Sequence, residues 1–291
     1  MKQIVFVSGK GGTGKSTLVA SLGHLVQNKM LADCDVDAPN LHLLLDGAEL
    51  FRADYSGGKK ASIDPNICIA CGRCREVCRF NAISPDHVVS SMACEGCAAC
   101  TVVCPADAIV LSDAQTGQTY VHETALGRFA HARLAIGADG SGKLVTQVRK
   151  NLSDFQQNEA YVLIDGSPGI GCSVISSITG TDAVVAVAEP TPTGRHDLDR
   201  VLSTAEHFKV PAYVCINKYD LNPAVSAQIE SDCQARDLTV IGKIPFEPMV
   251  VDALQKGLTP VEAKIQTVIK PIEQLWQHLT DALTAGPITR K

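Results

Sequence analysis

The chain has 291 residues, enough for one large α/β domain or for two domains around a sizeable core. Apolar residues make up 45% and aromatic residues only 4%, a balance that fits a parallel sheet covered by helices. The net charge is −5 and the basic residues form no run, which argues against nucleic acid or an acidic membrane surface as the main partner.

The apolar run over 4–7 is too short for a secretory leader, and no stretch has the apolar length that spans a bilayer. A cytoplasmic chain without a membrane anchor is expected. There are 12 cysteines, most of them crowded between Cys68 and Cys104. In the cytosol such crowding reads as metal binding rather than as a disulfide framework.

The first predicted element is a buried strand over 3–8. A glycine-rich loop follows over 9–14, then a helix over 15–28 with apolar positions at Leu18, Leu22, Leu25 and Val26. A short strand over 30–32 ends in Asp33-Cys34-Asp35-Val36-Asp37. From 45 to 60 the composition turns to Gly, Lys and Asp, as in a linker. Residues 61–112 carry the cysteines in two copies: the run from Cys68 with Asn81-Ala82-Ile83 matches the run from Cys94 with Asp107-Ala108-Ile109. The period of 26 residues implies a module of two similar halves, one metal centre in each. Beyond Asp113, apolar strands are predicted over 161–164, 183–188, 213–216 and 240–244, ending at Asp165, Glu189, Asn217 and Pro245. Helical patterns lie between them, and a last helix over 261–283 is interrupted by Pro271. Strand and helix in alternation give right-handed crossovers and a mainly parallel sheet with helices on both faces, with ligands at the carboxyl ends of the strands. The expected organisation is an α/β domain over 1–60 and 113–291 that holds an inserted α+β domain over 61–112.

Gly9-Lys10-Gly11-Gly12-Thr13-Gly14-Lys15-Ser16-Thr17 is a phosphate loop placed between a strand and a helix. Its glycines let successive N–H groups face the β-phosphate, and the helix N-terminus adds its dipole. Lys15 reaches the β and γ oxygens, and the Ser16 hydroxyl takes a place on Mg²⁺. Gly140-Ser141-Gly142-Lys143 lacks the upstream glycine and reads as a plain loop.

With Lys10 directly after the first glycine, the loop resembles that of the deviant-Walker P-loop ATPases, a class that includes MinD, ParA, the nitrogenase iron protein and the Mrp-type Fe–S scaffold ATPases. The resemblance implies ATP as the nucleotide and a dimer in the ATP state, with itself or with a related chain. Lys10 would reach the partner's phosphates as an arginine finger does. Asp35, followed by Asn40-Leu41, would position the attacking water. Asp33 would sit near Mg²⁺, and Asp37 would cap the next turn. In Asp165-Gly166-Ser167-Pro168-Gly169, Asp165 would hold Mg²⁺ through water and Gly169 would sense the γ-phosphate. Asn217 would hydrogen-bond a purine edge in a pocket lined by Pro245 and Phe246. The run Asn217-Lys218-Tyr219-Asp220 also matches the guanine-reading motif of GTPases, with Asp220 as the selector, so GTP stands as the alternative.

Cys68, Cys71, Cys74 and Cys78, then Cys94, Cys97, Cys100 and Cys104 before Pro105, have the spacing of bacterial two-cluster ferredoxins, in which the fourth cysteine of each run serves the other cluster. Cys68, Cys71, Cys74 and Cys104 are therefore assigned to one [4Fe–4S] cluster, and Cys94, Cys97, Cys100 and Cys78 to the second. Zinc sites seldom use this rhythm. Arg79 stands where the ferredoxin pattern has proline. Cys34 and Cys215 read as core residues and Cys233 as a helix residue. Cys172 reads as a buried structural thiol, with a ligand for a dimer-bridging cluster as the alternative.

As a whole the chain resembles the MinD-superfamily ATPases that contain an inserted ferredoxin domain. The resemblance implies an ATP-hydrolysing iron–sulfur protein whose cycle gates electron transfer from two [4Fe–4S] clusters to a redox or metallocluster partner. A cluster-assembly or carrier ATPase of the Mrp kind is the alternative, although the labile Cys-x-x-Cys such scaffolds carry late in the chain has no counterpart after Cys104. A spatial-positioning ATPase of the MinD kind would need membrane or DNA affinity, for which no segment is visible. The cysteine module begins about 30 residues after Asp35, on the connection that a γ-phosphate would order.

Overall fold

The first apolar run becomes β1 (Lys2–Ser8), in which Ile4, Val5, Phe6 and Val7 are fully buried. The computed structural model describes residues 1–138 and 142–285. After β1 come α1 (Lys15–Leu25), β2 (Lys29–Asp33), β3 (Gly47–Tyr55) and β4 (Gly58–Ile63). The cysteine region supplies the short helices α2 (Arg73–Val77) and α3 (Ala99–Val103), followed by β5 (Ile109–Ala114), β6 (Gly117–Thr124) and β7 (Gly127–Leu134). The second half runs through α4 (Gly142–Asp154), β8 (Tyr161–Pro168), α5 (Cys172–Ile178), β9 (Ala183–Ala188), α6 (Pro192–His207) and β10 (Ala212–Asn217). It ends with α7 (Pro223–Ala235), β11 (Thr239–Ile244), α8 (Pro248–Gln255) and α9 (Gln266–Ala285). No helix among the described residues is long and apolar enough to cross a membrane.

The main sheet has the strand order β11-β10-β9-β1-β8-β2-β7-β6-β3, with parallel pairing from β11 through to β7. β1 lies between β8 and β9, where the order reverses, so the loop that follows it opens at the crevice where such sheets bind ligands. Alternation along the strands divides the core. Ile4 and Phe6 pack with Leu163, Val185, Leu22 of α1 and Leu275 of α9. Val5 and Val7, equally buried, point to the opposite face, against which α5 and α6 lie. There Arg149 of α4 donates to the Ser176 and Thr179 carbonyls at the end of α5 (2.8 and 2.7 Å) and to Gln3 Oε1 (2.7 Å). These bonds satisfy carbonyls that a helix end leaves open.

Two compact units emerge: Met1–Arg52, Tyr120–Ala132 and Ser141–Lys291 form one, and Ala53–Thr119 with Arg133–Gly140 the other. In the second unit β4 and β5 pair antiparallel, with Ile63 opposite Ile109 and Ala61 opposite Leu111. The sequence repeat is visible in its backbone. α2 and α3 start 26 residues apart, and so do the positive-φ pairs Ala70 and Gly96, Gly72 and Ala98, and Asn81 and Asp107.

Several expectations change. The linker over 45–60 is instead β3 and β4, and β6 and β7 had no predicted counterpart. β3 is an edge strand with mostly exposed residues, so polar composition there signals an unpaired side rather than a loop. β7 hides its periodicity behind a buried histidine, His131, stacked on Phe129 and Tyr120. The last helix starts at Gln266 and is continuous to Ala285. Pro271 removes one early hydrogen bond, while Val268, Ile272, Leu275 and Leu279 stay buried and hold the element. Gly140 and Ser141 lie outside the described residues, and Gly142 and Lys143 open α4 rather than a loop.

Candidate functional site

The predicted phosphate loop leaves β1 and winds through Gly12 (φ 80°) and Gly14 (φ 86°) before Lys15 begins α1. The loop curls because these positions adopt the left-handed region open to glycine. Gly14 is also held by contact: a Cβ there would stand 2.3 Å from Asn217 Nδ2, the atom that donates to the Thr13 carbonyl at 2.7 Å. Gly14→Ala should push Asn217 off the loop and destabilise the ligand-free protein by about 2 kcal/mol or more. Gly11→Ala, whose Cβ would meet nothing within 4 Å, should stay within about 0.5 kcal/mol of wild type in urea unfolding.

The carboxyl ends of β2 and β8 bring three aspartates to Lys15. Its Nζ lies 2.9 Å from Asp165 Oδ1 and 4.0 Å from Asp35 Oδ2. Lys15 is 5% exposed; burial works against its charge, and Asp165, Asp35 and Asp33 together outweigh that and hold its pKa above the ordinary lysine value. Burial pushes Asp35 up to about 6, against the pull of Lys15. Asp33, fully buried, is raised well above the usual carboxylate range by burial and by Asp165. It was expected near Mg²⁺, yet its two oxygens accept the amides of Asp35, Asn40 and Leu41 at 3.0 to 3.1 Å. In this arrangement Asp33 braces the segment that carries Asp35. Asp165 Oδ2 and Thr13 Oγ1 are buried without a hydrogen-bond partner. The orphaned Asp165 oxygen fits a divalent cation, and the Thr13 hydroxyl can donate to a phosphate oxygen.

The segments that follow β2 and β8 are joined. Cys34 N donates to the Asp165 carbonyl at 2.7 Å, and Ser167 Oγ donates to the Cys34 carbonyl at 2.8 Å. Gly169 (φ 93°) donates its amide to the Ser8 carbonyl at 2.8 Å, beside the phosphate loop. Lys10 pairs with Glu189 Oε2 at 3.1 Å, and the same carboxylate accepts from Lys218 at 2.5 Å. The sequence marked Glu189 only as a strand end; its place between two lysines was not legible there.

Asn217, Lys218, Pro245 and Phe246 line a cleft of about 720 Å³ beside Gly12 and Gly14. Asn217 Oδ1 accepts the Lys218 amide at 3.0 Å, so the residue fastens its own strand end to the loop while facing the cleft. Asp220, the guanine selector of the alternative reading, accepts the Phe246 amide at 2.7 Å through Oδ1.

In the second unit Cys68, Cys71, Cys74 and Cys104 line one cavity of about 300 Å³. Cys78, Cys94, Cys97 and Cys100 line another of about 360 Å³. Cys74, Cys94 and Cys100 are buried, while Cys71 and Cys97 are exposed. Backbone amides point at the sulfurs: Ala82 to Cys78 (3.4 Å), Ala108 to Cys104 (3.3 Å) and Ala61 to Cys94 (3.4 Å). The alternating left-handed residues of each loop make the concave amide arrays that suit anionic groups. Among the described residues no group of three or more His, Cys, Asp or Glu side chains converges as the ligands of a single metal ion would. The donor set, four thiols around each cavity with amides aimed at sulfur, has the chemistry of a cluster lining rather than of a one-ion site.

Cys34 and Cys215 are buried as expected and Cys233 lies on α7, where it is buried, whereas Cys172 is exposed at the start of α5 and is not a buried thiol. Sequence reasoning also missed a ring stack in the first unit: His42, two residues from the brace at Asn40, lies parallel to His131 (centroids 5.3 Å, 8°), which meets His122 Nε2 to Nε2 at 3.2 Å. Only its three scattered histidines could have signalled it.

The sequence model of the CobQ/CobB/MinD/ParA nucleotide binding domain matches residues 4–261. The uncharacterized protein MJ0578 of Methanocaldococcus jannaschii is 34% identical over 226 residues, 76% of this chain and 79% of that protein. The uncharacterized protein MJ0579 of the same organism is 28% identical over 266 residues, 88% and 90% of the two chains. Among solved structures, the septum site-determining protein MinD of Pyrococcus horikoshii OT3 complexed with Mg-ADP superposes with a TM-score of 0.59 at 18% identity, over 98% of this chain and 97% of that one. The MinC:MinD cell division protein complex of Aquifex aeolicus gives 0.58 at 19%, over 100% and 99%. Those two likenesses are of fold. The phosphate loop after β1, the sheet order around it and the match over 4–261 agree: the chain belongs to the CobQ/CobB/MinD/ParA family of nucleotide-binding proteins.

Proposed function

We propose that the chain is an ATP-hydrolysing iron–sulfur protein whose nucleotide cycle gates electron transfer to a partner protein. The observation that carries this reading is the sorting of eight cysteines from two sequence runs into two cavities, each cavity taking three from one run and the fourth from the other. Cys68, Cys71, Cys74 and Cys104 would hold one [4Fe–4S] cluster and Cys94, Cys97, Cys100 and Cys78 the other, each supplying a one-electron centre when bound.

With the nucleotide bound, Lys15 would leave Asp165 for the β and γ oxygens, and Asp165 and Ser16 would hold Mg²⁺. Asp35 then lies where it can orient the attacking water and take its proton, helped by a pKa raised toward neutrality. Lys10 leaves Glu189 for the phosphates of a second subunit, identical or related. The engagement of Asp220 by the Phe246 amide supports ATP over GTP, since the carboxylate is already committed to backbone. The MinD relative complexed with Mg-ADP supports the same choice. Coupling has a short route: Asp33 ties Asp35 to Asn40 and Leu41, and the chain runs from there into β3 and on to the cysteine unit.

A second reading, assembly or delivery of a cluster to an acceptor, draws on the exposure of Cys71 and Cys97, one at each cavity. Anaerobic reconstitution tests both. About eight iron and eight sulfide per chain, with hydrolysis of Mg-ATP in preference to Mg-GTP, is expected. A chain that takes up no iron and sulfide would sink the iron–sulfur part. Rapid loss of cluster to an apo-acceptor would favour the assembly reading.

A further inference from the structure

The two cysteine cavities correspond residue by residue across the 26-residue repeat: Ile63 answers to Val89, Ala108 to Ala82 and Ile109 to Ile83. The match breaks chemically at Ile69, which answers to Glu95, and at one position that carries a ring nitrogen. His87 lines the cavity of Cys68, Cys71, Cys74 and Cys104, and its counterpart in the other cavity is Ala61. At Ala61 the backbone amide donates to Cys94 Sγ at 3.4 Å. At His87 the backbone is left-handed (φ 59°) and its amide donates to the Ser84 carbonyl at 3.0 Å, so the matching sulfur, Cys68, is not served from that amide. The imidazole lines that cavity instead. His87 Nε2 is buried and has no hydrogen-bond partner.

The turn that presents the ring is braced. Ser84 N donates to the Val88 carbonyl at 2.9 Å, and Val88 N donates to Ser84 Oγ at 3.1 Å. A buried ring nitrogen left unpaired is costly, so a held turn that keeps one at a cavity lined by four thiols calls for a ligand. We propose that His87, through Nε2–H, donates a hydrogen bond to a sulfur of the group held by Cys68, Cys71, Cys74 and Cys104, and thereby raises the reduction potential of that centre alone. This rests on the iron–sulfur reading above. Reduction adds negative charge to the sulfurs, a donor is bound more tightly by the reduced form, and such hydrogen bonds are established levers on cluster potential. The two centres are then unequal by construction, with a side-chain donor at one where the other has a backbone amide.

The test is an EPR-monitored redox titration of the anaerobically reconstituted full chain. His87→Ala should lower one midpoint potential, by about 59 mV for a tenfold change in the one-electron equilibrium, and leave the other in place. His87→Gln, which keeps an N–H, should lower it less. A loaded chain in which His87→Ala moves neither midpoint, or both equally, overturns the proposal alone. A wild-type chain that binds no iron and sulfide overturns the underlying reading. Should His87→Ala not load, ¹⁵N-histidine labelling of the wild type decides: a nitrogen hyperfine coupling at one reduced centre supports the hydrogen bond, and no coupling at either contradicts it.

Discussion

Replacing Asp35 by asparagine should make the ligand-free protein more stable and stop its turnover. Asp35 is held 4.0 Å from Lys15 in a pocket where burial lifts its pKa to about 6, above the ordinary carboxylate value of 3.8. Between those values the folded protein binds a proton that the unfolded chain does not. Its stability therefore falls as pH rises through this window and levels off above about 6. The full loss is on the order of 2–3 kcal/mol. Asp35→Asn has no such slope, so the gap in favour of the variant should widen by that amount from pH 4 to pH 7. Trp276, the one tryptophan, packs edge-on against Tyr161 in the same unit, and its fluorescence in urea reports this unfolding. Hydrolysis should drop about a hundredfold or more, the usual contribution of a positioned base. A variant as active as wild type would remove Asp35 from the mechanism.

The second large effect is expected at Lys15. In the ligand-free protein its ammonium neutralises a carboxylate with no exposure at all, Asp165, and stands beside Asp35 and Asp33. Lys15→Ala leaves those carboxylates buried without a cation, which should cost about 3–5 kcal/mol at neutral pH. Acidification should relieve part of that loss, since burial raises the pKa of both Asp33 and Asp35 and eases their protonation. Adding Asp165→Asn should recover stability and no activity. Turnover should fall at least a hundredfold in both variants, because the phosphate contact is gone in each. Recovery of hydrolysis in the double variant would show that Lys15 matters only to folding.

Most of the nucleotide cleft was legible in the sequence because its residues are consecutive in short motifs at strand ends. Gly9 to Thr17, Asp35, Asp165 and Asn217 arrive together since parallel strands deliver their carboxyl ends to one edge. What the motifs could not show is which polar atoms fold structure uses first. Asp33 looks like a metal ligand by position, and three backbone amides claim its oxygens. Glu189 looks like a turn residue, and two lysines converge on it. Strands β3, β6 and β7 escaped because an edge strand needs no apolar face and because His122 and His131 break the hydrophobic alternation. The cysteine spacing suggested a crossed grouping, and the same eight cysteines line two cavities, three from one run and one from the other. His87 is silent in the spacing and emerges only when the two cavities are compared across the repeat.

The claim that the nucleotide and the cysteine unit work as one machine is tested most directly by titrating the reconstituted protein under EPR with and without Mg-ATP. Mg-ATP should shift the midpoint of at least one centre, and Asp35→Asn, expected to bind ATP without hydrolysing it, should keep the shifted value. Midpoints that are identical with and without Mg-ATP, in a chain that hydrolyses ATP and carries both centres, would contradict it.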